Sequence, residues 1–138
     1  MLKPLLSPFA DRIYAALRII SGLMFAFHGM QKIFGVLAQH PQPKVGSQGW
    51  IGGLIELGAG VLIALGLFTR CAAFVASGTM AVAYFQFHMT FGSASGMIPV
   101  SNGGELAVLY CWLFLFIAAK GAGEWSVDAK REKAKAGS

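Results

Sequence analysis

WIGGLIELGAGVLIALGLF, residues 50–68, holds a single charge, Glu56, in a run of Gly, Leu, Ile, Ala and Val closed by an aromatic residue at each end. A run this long and this apolar predicts a membrane-spanning helix. A carboxylate inside such a helix costs roughly 2.5–3.5 kcal/mol on insertion scales, so it calls for a partner or a purpose. What Glu56 faces is decided by the rest of the chain.

Around that run the composition points the same way. Of 138 residues, 56% are hydrophobic and 12% charged, with a mean hydropathy of +0.63. A soluble domain carries about 25% charged residues, so lipid around the protein is the simplest solution. Three further apolar segments run from about Ile13 to Phe34, from Cys71 to Phe91 and from about Glu105 to Ala119. The last falls short of the ~20 residues a perpendicular span needs, so Gly103 and Gly104 are expected to extend it. The segments are rich in Ala, Leu and Gly and lack period-2 alternation, which favours helix over strand. Four segments cannot close a barrel, and only helices or closed barrels span lipid. The expected fold is an all-α integral membrane protein, a four-transmembrane-helix antiparallel bundle. Its helices are expected at about 13–34, 50–68, 71–91 and 104–120 in a domain of residues 1–126, followed by a basic tail, 127–138.

The connectors and the basic residues set an orientation. Thr69-Arg70 alone joins the second and third segments, whereas residues 35–49 and 90–104 form long connectors. Of the eleven Lys and Arg, all but Lys32 and Lys44 fall at the N-terminal side, the Thr69-Arg70 turn or the tail. The positive-inside rule places those regions, and both termini, in the cytoplasm. The tail, with Lys130, Arg131, Lys133 and Lys135, would then lie on an anionic leaflet. Arg18 is expected to snorkel inward or to pair with Asp11 or Asp128 at that rim. The net charge of +5 is thus spent on topology and gives no nucleic-acid face. A cleaved signal peptide is not expected, because Asp11, Arg12 and Lys32 interrupt its pattern.

Depth brings the polar residues of the segments together. His28 and Glu56 each lie six residues, or roughly 9 Å, below the same outer surface. His88 ends the third segment, Asn102 and Glu105 stand at the mouth of the fourth, and Lys32 is one turn above His28. Small-residue stripes (Gly49, Gly53, Glu56, Gly60, Ala64; Arg18, Gly22, Phe25, Gly29, Lys32; Ala73, Ser77, Ala81, Tyr84, His88) put these groups on helix–helix faces. His28, Lys32, Glu56, His88, Asn102 and Glu105 are therefore the candidate residues. They form either a ligand or proton-handling site or an interhelical ion-pair network that fixes register. A di-iron bundle would need Glu-x-x-His pairs, but Ala59 and Val108 stand where those histidines belong, and no metal is assigned. Cys71 and Cys111 lie at different depths with no ligand spacing, so neither a disulfide nor a zinc site is expected.

At these residues the chain resembles the DoxX family of small bacterial inner-membrane proteins. The matching pieces are residues 28–35 (HGMQKIFG), 52–60 (GGLIELGAG), 65–70 (LGLFTR), 102–105 (NGGE) and 123–128 (GEWSVD). The resemblance implies a four-helix protein of the inner membrane. Its relatives are tied to membrane redox systems, among them a subunit of a thiosulfate:quinone oxidoreductase and thiol-stress complexes. It makes His28, Lys32, Glu56, Asn102 and Glu105 pattern positions but carries over no catalytic residue, and the chain lacks the paired cysteines of an autonomous thiol oxidoreductase. The expected role is support of membrane redox chemistry, with a quinone or small ligand held near the outer leaflet. The alternative is a non-catalytic assembly subunit that meets a membrane or redox partner protein. A transporter or proton path is ranked below both, because the inner half offers few polar groups.

Overall fold

The computed structural model describes residues 3–137; residues 1 and 2 of the expected domain and residue 138 of the expected tail lie outside it. Among the described residues there is no strand. Short turns at Lys3–Leu6 and Ser7–Phe9 lead into α1 (Ala10–Phe34), followed by α2 (Gln48–Leu65), α3 (Thr69–Ala83), α4 (Glu105–Lys120) and α5 (Val127–Ala136). A π-turn, Tyr84–His88, prolongs α3, and two one-turn helices, Ala94–Met97 and Pro99–Asn102, occupy the connector before α4. Two helical stretches, Ser7–Phe34 and Gln48–Leu65, are long and apolar enough to cross a membrane.

The helices associate as two close pairs, α1 with α2 and α3 with α4. In the first pair glycine brings backbone against backbone. A Cβ on Gly22 would lie 2.6 Å from the Ala64 nitrogen, and one on Gly60 would lie 2.5 Å from the Ala26 nitrogen. In the second pair Ala72, Ala73, Ala76 and Ala107 are buried, and the Ser77 hydroxyl donates to the Cys111 carbonyl at 2.8 Å. Both interfaces follow the small-residue rule for helices that lack a hydrophobic drive to associate. Large side chains bridge the pairs. Phe25 of α1 packs on Phe114 and Tyr110 of α4 at centroid distances of 4.7 and 5.6 Å. Of the residues expected on the small faces, Arg18, Gly22, Phe25, Gly29, Gly53, Glu56, Gly60, Ala73, Ser77 and Tyr84 are buried, whereas Lys32, Gly49, Ala64, Ala81 and His88 are half-buried.

Several boundaries differ from the sequence expectation. The turn between α2 and α3 is Gly66 to Phe68, both ends in left-handed conformation, and Thr69-Arg70 is already the first turn of α3. The apolar run conceals that break because the capping group comes from far along the chain. Asp128 accepts from the Phe68 and Thr69 N–H groups (3.0 and 2.9 Å) and from the Thr69 hydroxyl (2.9 Å). The carboxylate supplies partners that a local N-cap would otherwise give. Gly103 (φ 73) closes the preceding turn in left-handed conformation, so α4 starts at Glu105 and gains nothing from the two glycines. Its 16 residues span about 24 Å. The tail is an ordered helix, N-capped by Ser126.

Arg18 neither snorkels nor pairs with a carboxylate. It is fully buried, and its guanidinium donates to the carbonyls of Ile63 (2.5 Å), Ala64 (2.8 Å), Trp125 (2.9 Å) and Glu124 (3.3 Å). The first two are orphan acceptors at the C-terminal end of α2, where the helix dipole favours a cation. Arg70 does the same for α4, donating to the carbonyls of Ala118, Ala119 and Lys120. Only a fork of donors serves several carbonyls at once.

Burial pushes the Asp128 carboxyl upward, but the bonds from Thr69 and Phe68, with the Arg131 guanidinium nearby, hold it below its ordinary value. A depressed carboxylate contributes stability that is complete above the unfolded value of about 3.9 and disappears as pH falls through the lower folded value. Acidification below about pH 4 is therefore expected to release α5 from the α2–α3 turn. Trp125 emission in a Trp50→Phe/Trp112→Phe background reports the release. The same acid transition in Asp128→Asn would contradict the assignment.

Candidate functional site

Glu56 lies one turn beyond Gly53 on the buried face of α2. The missing side chain at Gly53 makes room for the stem of Lys32, since a Cβ there would lie 2.8 Å from the Lys32 Cβ. The close approach lets Lys32 Nζ reach Glu56 Oε1 at 2.6 Å. The pair is lopsided: the Lys32 side chain is 39% exposed and that of Glu56 only 3%. The second carboxylate oxygen, Oε2, is buried with no partner among the described residues.

Beside the pair is a cavity of about 190 Å³, lined by Phe25, His28, Lys32, Glu56, Met80, Ala83, His88, Gly103, Leu106, Ala107 and Tyr110. Tyr110 is also buried, and its hydroxyl has no partner either. The two residues that carry these unpartnered groups thus line one cavity, and the groups do not bond each other. Leaving a buried polar group unsatisfied costs about 1–3 kcal/mol, so two at one place call for an explanation. The half-buried His28 ring meets Tyr110 edge-on at a centroid distance of 6.3 Å. His88 closes the π-turn, where the Met89 N–H bonds the Tyr84 carbonyl at 2.9 Å, five residues back. Such turns occur frequently at functional sites.

Of the six candidates from sequence, His28, Lys32, Glu56 and His88 line this cavity and the other two do not. Asn102 orders the connector. Its amide donates to the Gly96 carbonyl (2.9 Å) and the Tyr84 hydroxyl (3.3 Å), and its carbonyl accepts from the Gly104 N–H (2.9 Å). Glu105 is exposed in the first turn of α4, where a carboxylate suits the helix dipole. Tyr110 is the residue that sequence reasoning missed. The available signal was a phenol in the middle of an apolar helix, because a buried Tyr hydroxyl normally finds a partner.

The chemistry of the cavity follows from its donors and acceptors. An ionised carboxylate only accepts, a phenol donates and accepts, and a neutral imidazole does one at each nitrogen. A small molecule with an O–H or N–H for Glu56 Oε2 and an oxygen for the Tyr110 hydroxyl would satisfy both groups.

Comparison with known proteins brings in the lineage. The DoxX family model matches residues 13–89, which include His28, Lys32, Glu56 and His88 but not Tyr110. An uncharacterized protein of Haemophilus influenzae is 42% identical over 123 aligned residues, covering 84% of this chain and 88% of that protein. No solved structure matches.

Because the Tyr110 hydroxyl bonds nothing in the fold, Tyr110→Phe is expected to leave thermal stability unchanged or to raise it by up to about 1 kcal/mol. Differential scanning fluorimetry of the two purified proteins measures this. A loss above about 1 kcal/mol would mean that the hydroxyl serves the fold.

Proposed function

This chain belongs to the DoxX family, and from that premise we propose that the Glu56 cavity binds the ring of a quinol or quinone, or a small ligand of the same hydrogen-bonding chemistry, in support of membrane redox chemistry. The observation that carries the reading is the pair of buried, unpartnered groups, Glu56 Oε2 and the Tyr110 hydroxyl, on one cavity of about 190 Å³. An apolar cavity of about 150 Å³ admits benzene, so this space suits one substituted six-membered ring. Such a ring, when bound, supplies reversible two-electron, two-proton chemistry. Lys32 fixes Oε1 and leaves Oε2 as the acceptor a ligand meets, while the Tyr110 hydroxyl orients an oxygen of the ring. His28 and His88 hold or pass a proton at the cavity wall.

The test uses the full chain in nanodiscs with 2,3-dimethoxy-5-methylhydroquinone as probe and Trp50 emission or calorimetry as readout. Glu56→Gln and Tyr110→Phe are each expected to weaken binding about tenfold or more, the loss of one buried hydrogen bond to a ligand. Absence of binding to the unaltered protein, or equal binding by Glu56→Gln, would overturn the reading. A second reading, a non-catalytic assembly subunit, is favoured by the direct 2.6 Å contact across α1 and α2, which is what a register lock needs. Under it the probe does not bind, and Lys32→Ala with Glu56→Ala is more stable than either single variant.

In the same reading α1 to α4 cross a bacterial inner membrane four times, with both termini cytoplasmic. Support comes from Arg18 and Arg70, which meet the ends of α2 and α4 beside the base of the basic α5, whereas Lys32 and Lys44 belong to the connector after α1 and its approach. Helix α4 at about 24 Å is shorter than a hydrocarbon core of ~30 Å, a mismatch that local thinning accommodates. In a cysteine-free background, Lys44→Cys is expected to react with an impermeant maleimide in intact cells and Lys135→Cys only after lysis. Labelling in the reverse order would refute this orientation.

A further inference from the structure

The Lys32–Glu56 pair borders a second cavity. This one is about 270 Å³ and lies between α2 and α3, and it shares Lys32, Glu56 and Ala83 with the first. Its walls are apolar: Ile51, Gly52 and Ile55 on α2, and Gly78, Val82 and Phe87 on α3 and the π-turn. Ile51, Val82 and Phe87 are exposed. The Gln48 amide donates to the Gln86 side-chain carbonyl, tying the start of α2 to the π-turn.

Gly52 and Gly78 distinguish this space from ordinary loose packing. A glycine inside a helix costs about 1 kcal/mol relative to alanine. At Gly22 and Gly60 that cost is offset, because a Cβ would strike the facing backbone. Gly58, exposed and outside this cavity, shares one property with Gly52 and Gly78: a Cβ would meet nothing within 4 Å, so no contact within the chain accounts for the glycine. Gly52 and Gly78 line the second cavity, on opposite walls, and both keep it open. Glu56, only 2% exposed and with an unpartnered oxygen, stands where the two cavities adjoin. A polar head site and an apolar groove that meet at one buried carboxylate match a ligand that has both parts.

We propose that the ligand of the Glu56 cavity is an amphiphile, a hydrogen-bonding ring carrying a long apolar chain, and that the groove walled by Gly52 and Gly78 receives the first segment of that chain. The assignment rests on the head-site reading above and goes beyond it in naming a chain-bearing class of ligand and the residues that select it. Leucine at either glycine fills the groove while favouring the helix, so the fold and the head cavity are kept.

Two probes with the same head separate the parts: 2,3-dimethoxy-5-methylhydroquinone and its 6-decyl derivative, titrated into the full chain in nanodiscs with affinities corrected for partition into lipid. Gly52→Leu and Gly78→Leu are each expected to lower affinity for the decyl probe about tenfold and to leave the head-only probe within about twofold, as loss of two buried methylenes at ~0.8 kcal/mol each implies. Equal decyl affinity in all three proteins, with head binding intact, would overturn the chain site and spare the head site. Failure of both probes to bind the unaltered protein would overturn both. A change of oligomeric state in the leucine variants, seen by light scattering, would assign the groove to a second copy of this chain. Loss of co-purified phospholipid with unchanged decyl binding would assign it to bilayer lipid.

Discussion

The close approach of α1 to α2 is the constraint on which the rest depends. Where Gly22 meets Gly60 and Ala64, and Gly29 meets Gly53 and Leu57, no side chain separates the backbones. At that spacing a lysine stem passes Gly53 and its ammonium reaches a carboxylate on the neighbouring helix. Packing of this kind has two states only, in contact or apart, because a close-packed interior does not deform by small amounts. Glu56 is thereby held at a fixed depth with Oε1 engaged by Lys32 and Oε2 buried without a partner among the described residues. A looser pair would admit water and dissolve the asymmetry between Oε1 and Oε2.

The opposite end of the bundle is built on a different principle. Helices that end in an apolar environment leave carbonyls and N–H groups without water to bond. Arg18 and Arg70 answer for the C-terminal ends of α2 and α4, and Asp128 answers for the N-terminal end of α3. The donors and acceptors come from other parts of the chain, so the helix ends and the docked α5 stabilise one another. The Tyr14 hydroxyl adds a further link to the Gly121 carbonyl. This end is saturated with hydrogen bonds, with Arg18 Nε the exception. The Glu56 end keeps a carboxylate oxygen and a phenol unpaired.

Much of the helical plan was legible. The four long apolar segments overlap α1 to α4, though the third was expected to reach Phe91 and the helix gives way to the π-turn at Tyr84–His88, and the spacing of small residues marked most of the buried faces, because both follow from a helix of 3.6 residues per turn. Boundaries were less legible where the cap is remote. Nothing between Phe68 and Thr69 announces a helix start, since the carboxylate that caps it sits at Asp128. The tail was legible as basic and polar, and the structure adds that Val127–Ala136 is a helix capped by Ser126. Arg18 looked like a surface cation because its four acceptors are backbone carbonyls, which carry no sequence signature.

The sequence by itself determined that the chain is helical and apolar and that Glu56 faces protein, with Lys32 among the partners open to it. Helix periodicity and the energy of a charge in hydrocarbon decide those points before any packing is known. Only the tertiary structure decided which polar groups share a cavity. It brought Tyr110 in and left Asn102 and Glu105 out, because the face that α4 turns inward is set by what it packs on, Phe25 of α1 and the alanine face of α3. It also decided that Glu56 keeps one oxygen free, since pairing depends on the distance between two backbones, and that distance is written in contacts between glycines far apart in the chain.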